Sequence, residues 1–236
     1  MTIRNRIQQY TNDLIHLFYP HICVGCGSDV IEHGQVICAQ CFSNLPVTDY
    51  FLYANNPVER LFAGRILVQQ AGSAFYFTKQ SLLQNIMHEI KYRGNIEAGL
   101  FIGKQTGIAL QQSGRFADID VIVPMPLSNR RARQRGYNQA AIMTQGMAEI
   151  LKKPVEDHVA IRKINTATQT GKDRTSRWQT MQHAFTVNDK AALSNKHVLL
   201  VDDIVTTGAT LEACGEVIAA LPGVKLSIAT VAYTIL

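Results

Sequence analysis

Two stretches of this 236-residue chain carry side chains in patterns that suggest chemistry rather than packing. The first places Cys23, Cys26, Cys38 and Cys41 in the array C-x2-C-x11-C-x2-C. Each pair lets the chain turn sharply between two thiolates, and two such pairs make the ligand set of a tetrahedral zinc site. Gly25 and Gly27 flank Cys26 and free the backbone for that turn. His21 and His33 are nearby, but four cysteines already close the site, so a structural metal is expected rather than a catalytic one. Two disulfides belong to an oxidising compartment, and an iron–sulfur cluster is compatible with the same spacing. The second stretch is "VLLVDDIVTTGAT", residues 198–210. An apolar strand runs into Asp202 and Asp203, then into Thr206, Thr207, Gly208, Ala209 and Thr210 at the start of a helix. Such a turn offers a phosphate free N–H groups, hydroxyl donors and close backbone approach. Two acids beside it would repel the phosphate itself but accept hydrogen bonds from the hydroxyls of an attached sugar. No G-x4-G-K-[ST] run supports a P-loop. A response-regulator-like acidic pocket leaves both the Thr-Thr-Gly turn and the cysteines unexplained.

The charge is unevenly placed. Arg130, Arg131, Arg133 and Arg135 fall within eight residues without an acid. Arg162, Lys163, Lys172, Arg174 and Arg177 face only Asp173. The two segments carry +8 between them, leaving −3 for the rest of a +5 chain. That concentration favours a polyanionic ligand: phosphates, pyrophosphate or nucleic acid.

The elements that must hold these residues follow from periodicity. Ile3, Ile7, Tyr10, Leu14 and Leu17 recur at helical spacing, and Pro20 ends that helix. Asn55, Asn56 and Pro57 read as a linker or turn. Residues 65–77 read as one or two strands, 79–94 as a helix stopped by Gly94, and 95–113 as another helix. Residues 120–127 form an apolar strand ending at prolines, 137–151 a helix and 155–161 a strand. The basic stretch 162–183 has no clear period and reads as a long functional loop. Residues 197–203, a helix over 207–221 and a last strand over 225–233 complete the pattern. Cys214 falls inside an apolar helical pattern, a core position. Near-continuous apolar strands alternating with helices predict an α/β fold with a parallel sheet covered on both faces. The expected division is 1–50 for an N-terminal helix and four-cysteine module, and 51–236 for the α/β domain. No segment is apolar for long enough to span a bilayer. Gln8, Gln9, Asn12, Asp13 and His16 interrupt the N-terminus, which therefore lacks the core of a signal peptide, and the expected place is the cytoplasm.

"VLLVDDIVTTGAT" closely resembles the 5-phosphoribosyl-1-pyrophosphate (PRPP) signature of type I phosphoribosyltransferases. Together with the cysteine module, "IKYRGN" (90–95), "VPMPLSNRRARQRGYNQA" (123–140) and "TQTGKDRTSRW" (168–178), it makes nearly the whole chain resemble the ComF family, ComFC- and GntX-type proteins among them. The resemblance implies a type I phosphoribosyltransferase-like sheet behind a small zinc-binding module. It implies that Asp202 and Asp203 bind the ribose hydroxyls and act catalytically, and that Thr206 to Thr210 hold the 5′-phosphate. Residues 126–133 would form the pyrophosphate loop, with Arg130, Arg131 and Arg133 as its charge. Gln169, Lys172, Arg174 and Arg177 would belong to a flexible loop closing over the site. Thr180 departs from the asparagine that family members often carry there. PRPP, Mg2+ carried with it and structural Zn2+ are the implied ligands, and phosphoribosyl transfer the implied activity. No acceptor-selecting residue is legible, although Gln169 and Trp178 have side chains suited to a base. No cysteine at the start of the chain is present to release ammonia from glutamine, so an amidotransferase is not indicated. ComF relatives are associated with natural competence. That association implies single-stranded DNA and competence-machinery proteins as partners. Tyr92, Tyr137 and Trp178 interleave with the basic residues, a pattern that suits stacking on single strands, while core packing accounts equally for any one of them.

Overall fold

The computed structural model describes residues 21–32, 34–162 and 184–235. The helix expected over 3–18 and the basic segment 163–183 lie outside these residues. In chain order the elements are α1 (Ala39–Ser43), α2 (Pro57–Phe62), β1 (Ala71–Phe77), α3 (Leu82–Tyr92), α4 (Ile96–Ser113), β2 (Val121–Pro124), α5 (Asn129–Arg135), α6 (Gln139–Leu151), β3 (Ala160–Arg162), β4 (Phe185–Val187), β5 (His197–Val205), α7 (Ala209–Ala219) and β6 (Lys225–Thr234).

Four strands form one sheet in the order β1-β6-β5-β2, and every neighbouring pair is parallel. Their C-terminal ends therefore share one edge, where open α/β sheets bind their ligands. The central strands are buried on both sides, as their apolar runs predict. Leu199 and Val201 enter a cluster with Ile86 and Ile90 of α3, Ile102 of α4 and Met143 of α6. Val198 and Leu200, pointing the opposite way, enter a second cluster with Phe62 of α2 and Leu211 and Ile218 of α7. This alternation is the period-two geometry of a strand. Helices thus cover both faces, and Cys214 is buried among them.

Helices α4 and α6 approach almost backbone to backbone. A methyl group at Gly103 would lie 2.1 Å from the Met143 carbonyl oxygen, and one at Gly146 would lie 2.3 Å from that of Leu100. Asn138 fixes the start of α6 against β2. Its side chain donates to the Met125 carbonyl at 3.0 Å and accepts from the Ala140 N–H at 3.1 Å.

Three expectations need correction and one is refined. Residues 65–70 are not strand, and β1 begins at Ala71. Asn55 lies in a turn, as expected, and the stretch leads directly into α2. Asn56 caps α2, accepting from Val58 and Glu59, while its amide donates to Tyr50, Tyr53 and Ala71 carbonyls. Residues 155–161 are not one strand. Val155 makes a single parallel bridge to Ile122, and β3 starts at Ala160 to pair antiparallel with β4. The expected pyrophosphate loop, 126–133, is helical from Asn129 onward. No helix among the described residues is long and apolar enough to cross a membrane.

Candidate functional site

The four cysteines converge. Their sulfurs all lie within 4.8 Å of one another, with Cys26 exposed and the other three buried. Cys26 and Cys38 sulfurs are 3.8 Å apart. A tetrahedron of thiolates about 2.3 Å from a zinc ion has edges of roughly 3.8 Å, so the residues fit such a centre. All four are free thiols, which leaves the disulfide alternative without support here. Burial alone would raise the Cys23 pKa, yet the backbone N–H groups of Cys38, Cys26 and Gly25 bring it to about 6. Burial and the neighbouring sulfurs push Cys41 the other way, so one thiolate is favoured before any metal supplies the field that would ionise the rest.

At the C-terminal edge of the sheet, β5 delivers Asp202 and Asp203 to different surroundings. Asp203 is buried, and its Oδ2 receives Lys91 Nζ at 2.7 Å and Gln139 Nε2 at 3.2 Å. Its Oδ1 accepts from the Ile204 N–H at 2.7 Å. Asp202 is half-buried and accepts from the Asp203 N–H at 2.8 Å. Burial raises the Asp202 pKa well above the usual carboxylate range, and the adjacent Asp203 charge raises it further. Burial would raise Asp203 too, but the Lys91 ammonium and the hydrogen bonds hold it below its ordinary value. The pair is thus split into an ionised member braced by a cation and a neighbour inclined to keep its proton.

The turn after β5 forms a concave pocket lined by Asp202 and residues 204–211, with Thr206 and Thr207 exposed. Gly208, at φ +74°, is the N-cap of α7, a conformation that favours glycine. A methyl group there would lie 2.9 Å from the Phe62 ring, so the turn is seated on α2. Arg65 braces it from outside, donating to the Thr207 carbonyl at 2.9 Å and pairing with Glu212 of α7.

Helix α5 follows β2 at the same edge, with Arg131 and Arg133 exposed on it. Arg130 is its second residue, and its side chain lies outside the described atoms. Arg162, at the end of β3, packs over the Phe185 ring with 5.4 Å to the centroid. Burial and then the like charge of Arg131 lower the Arg162 pKa, while Asp202 opposes them. Arg131, Arg162 and Asp202 therefore share one field. Arg135 stacks over Tyr92 at 5.7 Å, and one of its buried nitrogens has no hydrogen-bond partner among the described atoms.

The structure thus brings together Asp202, Asp203, the Thr206–Thr210 turn and Arg131. Gln169, Lys172, Arg174, Arg177, Trp178 and Thr180 lie outside the described residues. Lys91, Gln139 and Arg65 belong to the site without a role read from sequence, and Arg162 was read only as part of a basic run. Lys91 lies in "IKYRGN" and Gln139 in "VPMPLSNRRARQRGYNQA", motifs that gave neither residue a role of its own.

A family model described as the phosphoribosyl transferase domain matches residues 138–234. The chain is 27% identical over 200 residues to Competence protein F of Haemophilus influenzae, covering 83% of this chain and 77% of that one. It is 28% identical over 192 residues to Competence protein ComFC of Bacillus subtilis, covering 80% and 74%. It is 25% identical over 200 residues to DNA utilization protein YhgH of Escherichia coli, covering 84% and 83%.

Proposed function

The chain belongs to the ComF family, and from that premise we propose that it binds PRPP with Mg2+ and transfers its phosphoribosyl group to an acceptor. The observation that carries this reading is the split acid pair beside the Thr-Gly turn. Asp202 and Asp203 accept from the ribose hydroxyls. The N–H groups opening α7, with Thr206, Thr207 and Thr210, receive the 5′-phosphate. Arg131, Arg133 and Arg162 face the leaving pyrophosphate, where negative charge grows as the C1–O bond breaks. Positioning and charge stabilisation do most of the work in such a transfer, so no covalent nucleophile is required. Mg2+, a hard cation that prefers oxygen ligands, would arrive on the pyrophosphate and offset its charge, with Asp202 or Asp203 available to hold it directly or through water. We place the four cysteines on structural Zn2+, the division between module and domain near residue 50, and the protein in the cytoplasm.

The test is calorimetric titration of full-length protein with PRPP and Mg2+, repeated on Asp202→Asn. Asp202 is the cleaner probe because Asp203 is tied into the fold through Lys91. One lost hydrogen bond to a ribose hydroxyl from a carboxyl that keeps its proton is worth about 0.5–1.5 kcal/mol, so affinity should fall by about twofold to tenfold. No binding by the unmutated protein, or equal affinity in the mutant, sinks the assignment.

A second reading is favoured by a separate observation: Arg131, Arg133 and the ring of Tyr92 are all exposed at this edge. Taken with relatives named for competence and DNA utilization, it makes single-stranded DNA and DNA-uptake proteins the partners, with PRPP as a regulating ligand.

A further inference from the structure

Helix α3 touches both centres. At its first turn, a methyl group on Gly25 would lie 2.3 Å from Leu82 Cδ1 and 3.0 Å from Cys41 Sγ, so Leu82 is seated directly on the cysteine knuckle. One turn later the Asn85 side chain donates to the Gly25 carbonyl at 2.8 Å. Gly25 lies between Cys23 and Cys26, inside the first ligand pair. Six residues beyond Asn85, or about 9 Å along a helix, Lys91 Nζ meets Asp203 Oδ2 at 2.7 Å. Between these ends the helix has little freedom. Leu83, Ile86, Met87 and Ile90 are buried, in the same apolar cluster that contains Cys23, Cys38 and Cys41.

We propose that α3 is a strut through which the four-cysteine module sets the position of Lys91, and that Lys91 is a positioning residue for PRPP because it holds Asp203 toward the ribose. The second half rests on the PRPP reading above; the first does not. The physical need is plain. Two adjacent carboxylates would repel a ligand carrying a phosphate and a pyrophosphate, and a cation locked onto one of them offsets that repulsion without occupying the pocket. A lysine on a flexible four-carbon stem does this reliably only if its helix is fixed in register. Asn85 and Leu82 fix it, and their partner is the backbone of the metal knuckle.

The experiment uses the full chain in its metal-loaded form, with metal content measured for every variant. Lys91→Gln should weaken PRPP binding by about tenfold to a hundredfold, the loss of one charge-assisted hydrogen bond. Lys91→Arg, which keeps the charge, should recover most of it. Asn85→Ala should weaken binding by about three- to tenfold at unchanged metal content. Combined with Lys91→Gln, it should add less than about twofold, because both act through one contact. Wild-type affinity in Lys91→Gln, or no recovery in Lys91→Arg, overturns the role of Lys91. No effect of Asn85→Ala, or full additivity with Lys91→Gln, overturns the strut. If unmutated protein binds no PRPP, the proposed function fails on its own. The strut is then judged from unfolding, where Lys91→Gln and Asp203→Asn should be non-additive. That coupling should shrink in the Asn85→Ala background, and a coupling unchanged there overturns it.

Discussion

Replacing each aspartate of the pair by asparagine, one at a time, should move stability in different directions although the residues are neighbours. In Asp203→Asn, Oδ1 can still accept from Ile204, but the other position becomes an amide donor. It then points at Lys91 Nζ, 2.7 Å from Oδ2 in the native pair, and at Gln139 Nε2, 3.2 Å away. Three donors meet without an acceptor, and Lys91, whose side chain is 18% exposed, loses its counter-charge. Breaking a buried pair from one side costs about 3–5 kcal/mol, and the residual exposure favours the lower end, about 3 kcal/mol. For a domain of this size that lowers Tm by about 6–12 °C. In Asp202→Asn the acceptor for the Asp203 N–H survives, and a carboxyl disfavoured by burial and by Asp203 is removed. Its Tm should match or exceed that of the unmutated protein. The pH dependence has opposite signs. Asp202, raised on folding, binds an extra proton in the native state from about pH 4, the unfolded value, up to its folded pKa. Native stability is therefore lost as pH rises through that window, and Asp202→Asn should gain relative to wild type there. Asp203 is lowered on folding. Its contribution is complete above about pH 4 and is lost as pH falls toward its folded pKa, so the deficit of Asp203→Asn should narrow on acidification. Differential scanning calorimetry of three proteins at several pH values decides the matter. A Tm for Asp203→Asn within about 2 °C of wild type at pH 7, or equal losses for both variants, would refute the split assignment.

Two further outcomes are expected. Protein purified without added metal should carry about one zinc per chain by elemental analysis. Cys26→Ser should lose most of it, a clean test because Cys26 is exposed and contributes little packing; folded protein with almost no bound metal removes the centre. Single-stranded DNA binding should weaken with salt, and Arg131→Glu with Arg133→Glu should flatten the log–log salt slope by about 1.4, the share of two phosphate contacts. An unchanged slope in a filter-binding or anisotropy series means that α5 is not the contact surface.

What could be read from sequence, and what could not, divides by the range of the interactions. The cysteine array and the Asp-Asp, Thr-Gly run announce themselves because each completes its chemistry within a few neighbouring residues. Strand β5 was legible because burial on both faces demands an unbroken apolar run. Helix α5, "NRRARQR", was not: all but Ala132 are polar, so no apolar period distinguishes it from a loop, and only the Ser128 cap and Gly136 stop mark its ends. Helix α2 is six residues long, too short for periodicity, and its cap Asn56 looked like turn chemistry because it is turn chemistry, repeated at a buried position. The residues that make the acid pair usable were the least visible. Gln139 reaches Asp203 across 64 positions and Arg65 reaches Glu212 across 147. A lysine in the last turn of an amphipathic helix has an adequate local explanation in the helix dipole, and nothing nearby says that Lys91 has a buried partner. The motif therefore names the acids, while their protonation is decided by cations delivered from other elements. Any sequence that keeps "VDDIVTTGAT" but changes Lys91 or Gln139 should retain the signature and lose the split between the two carboxyls on which the proposed binding depends.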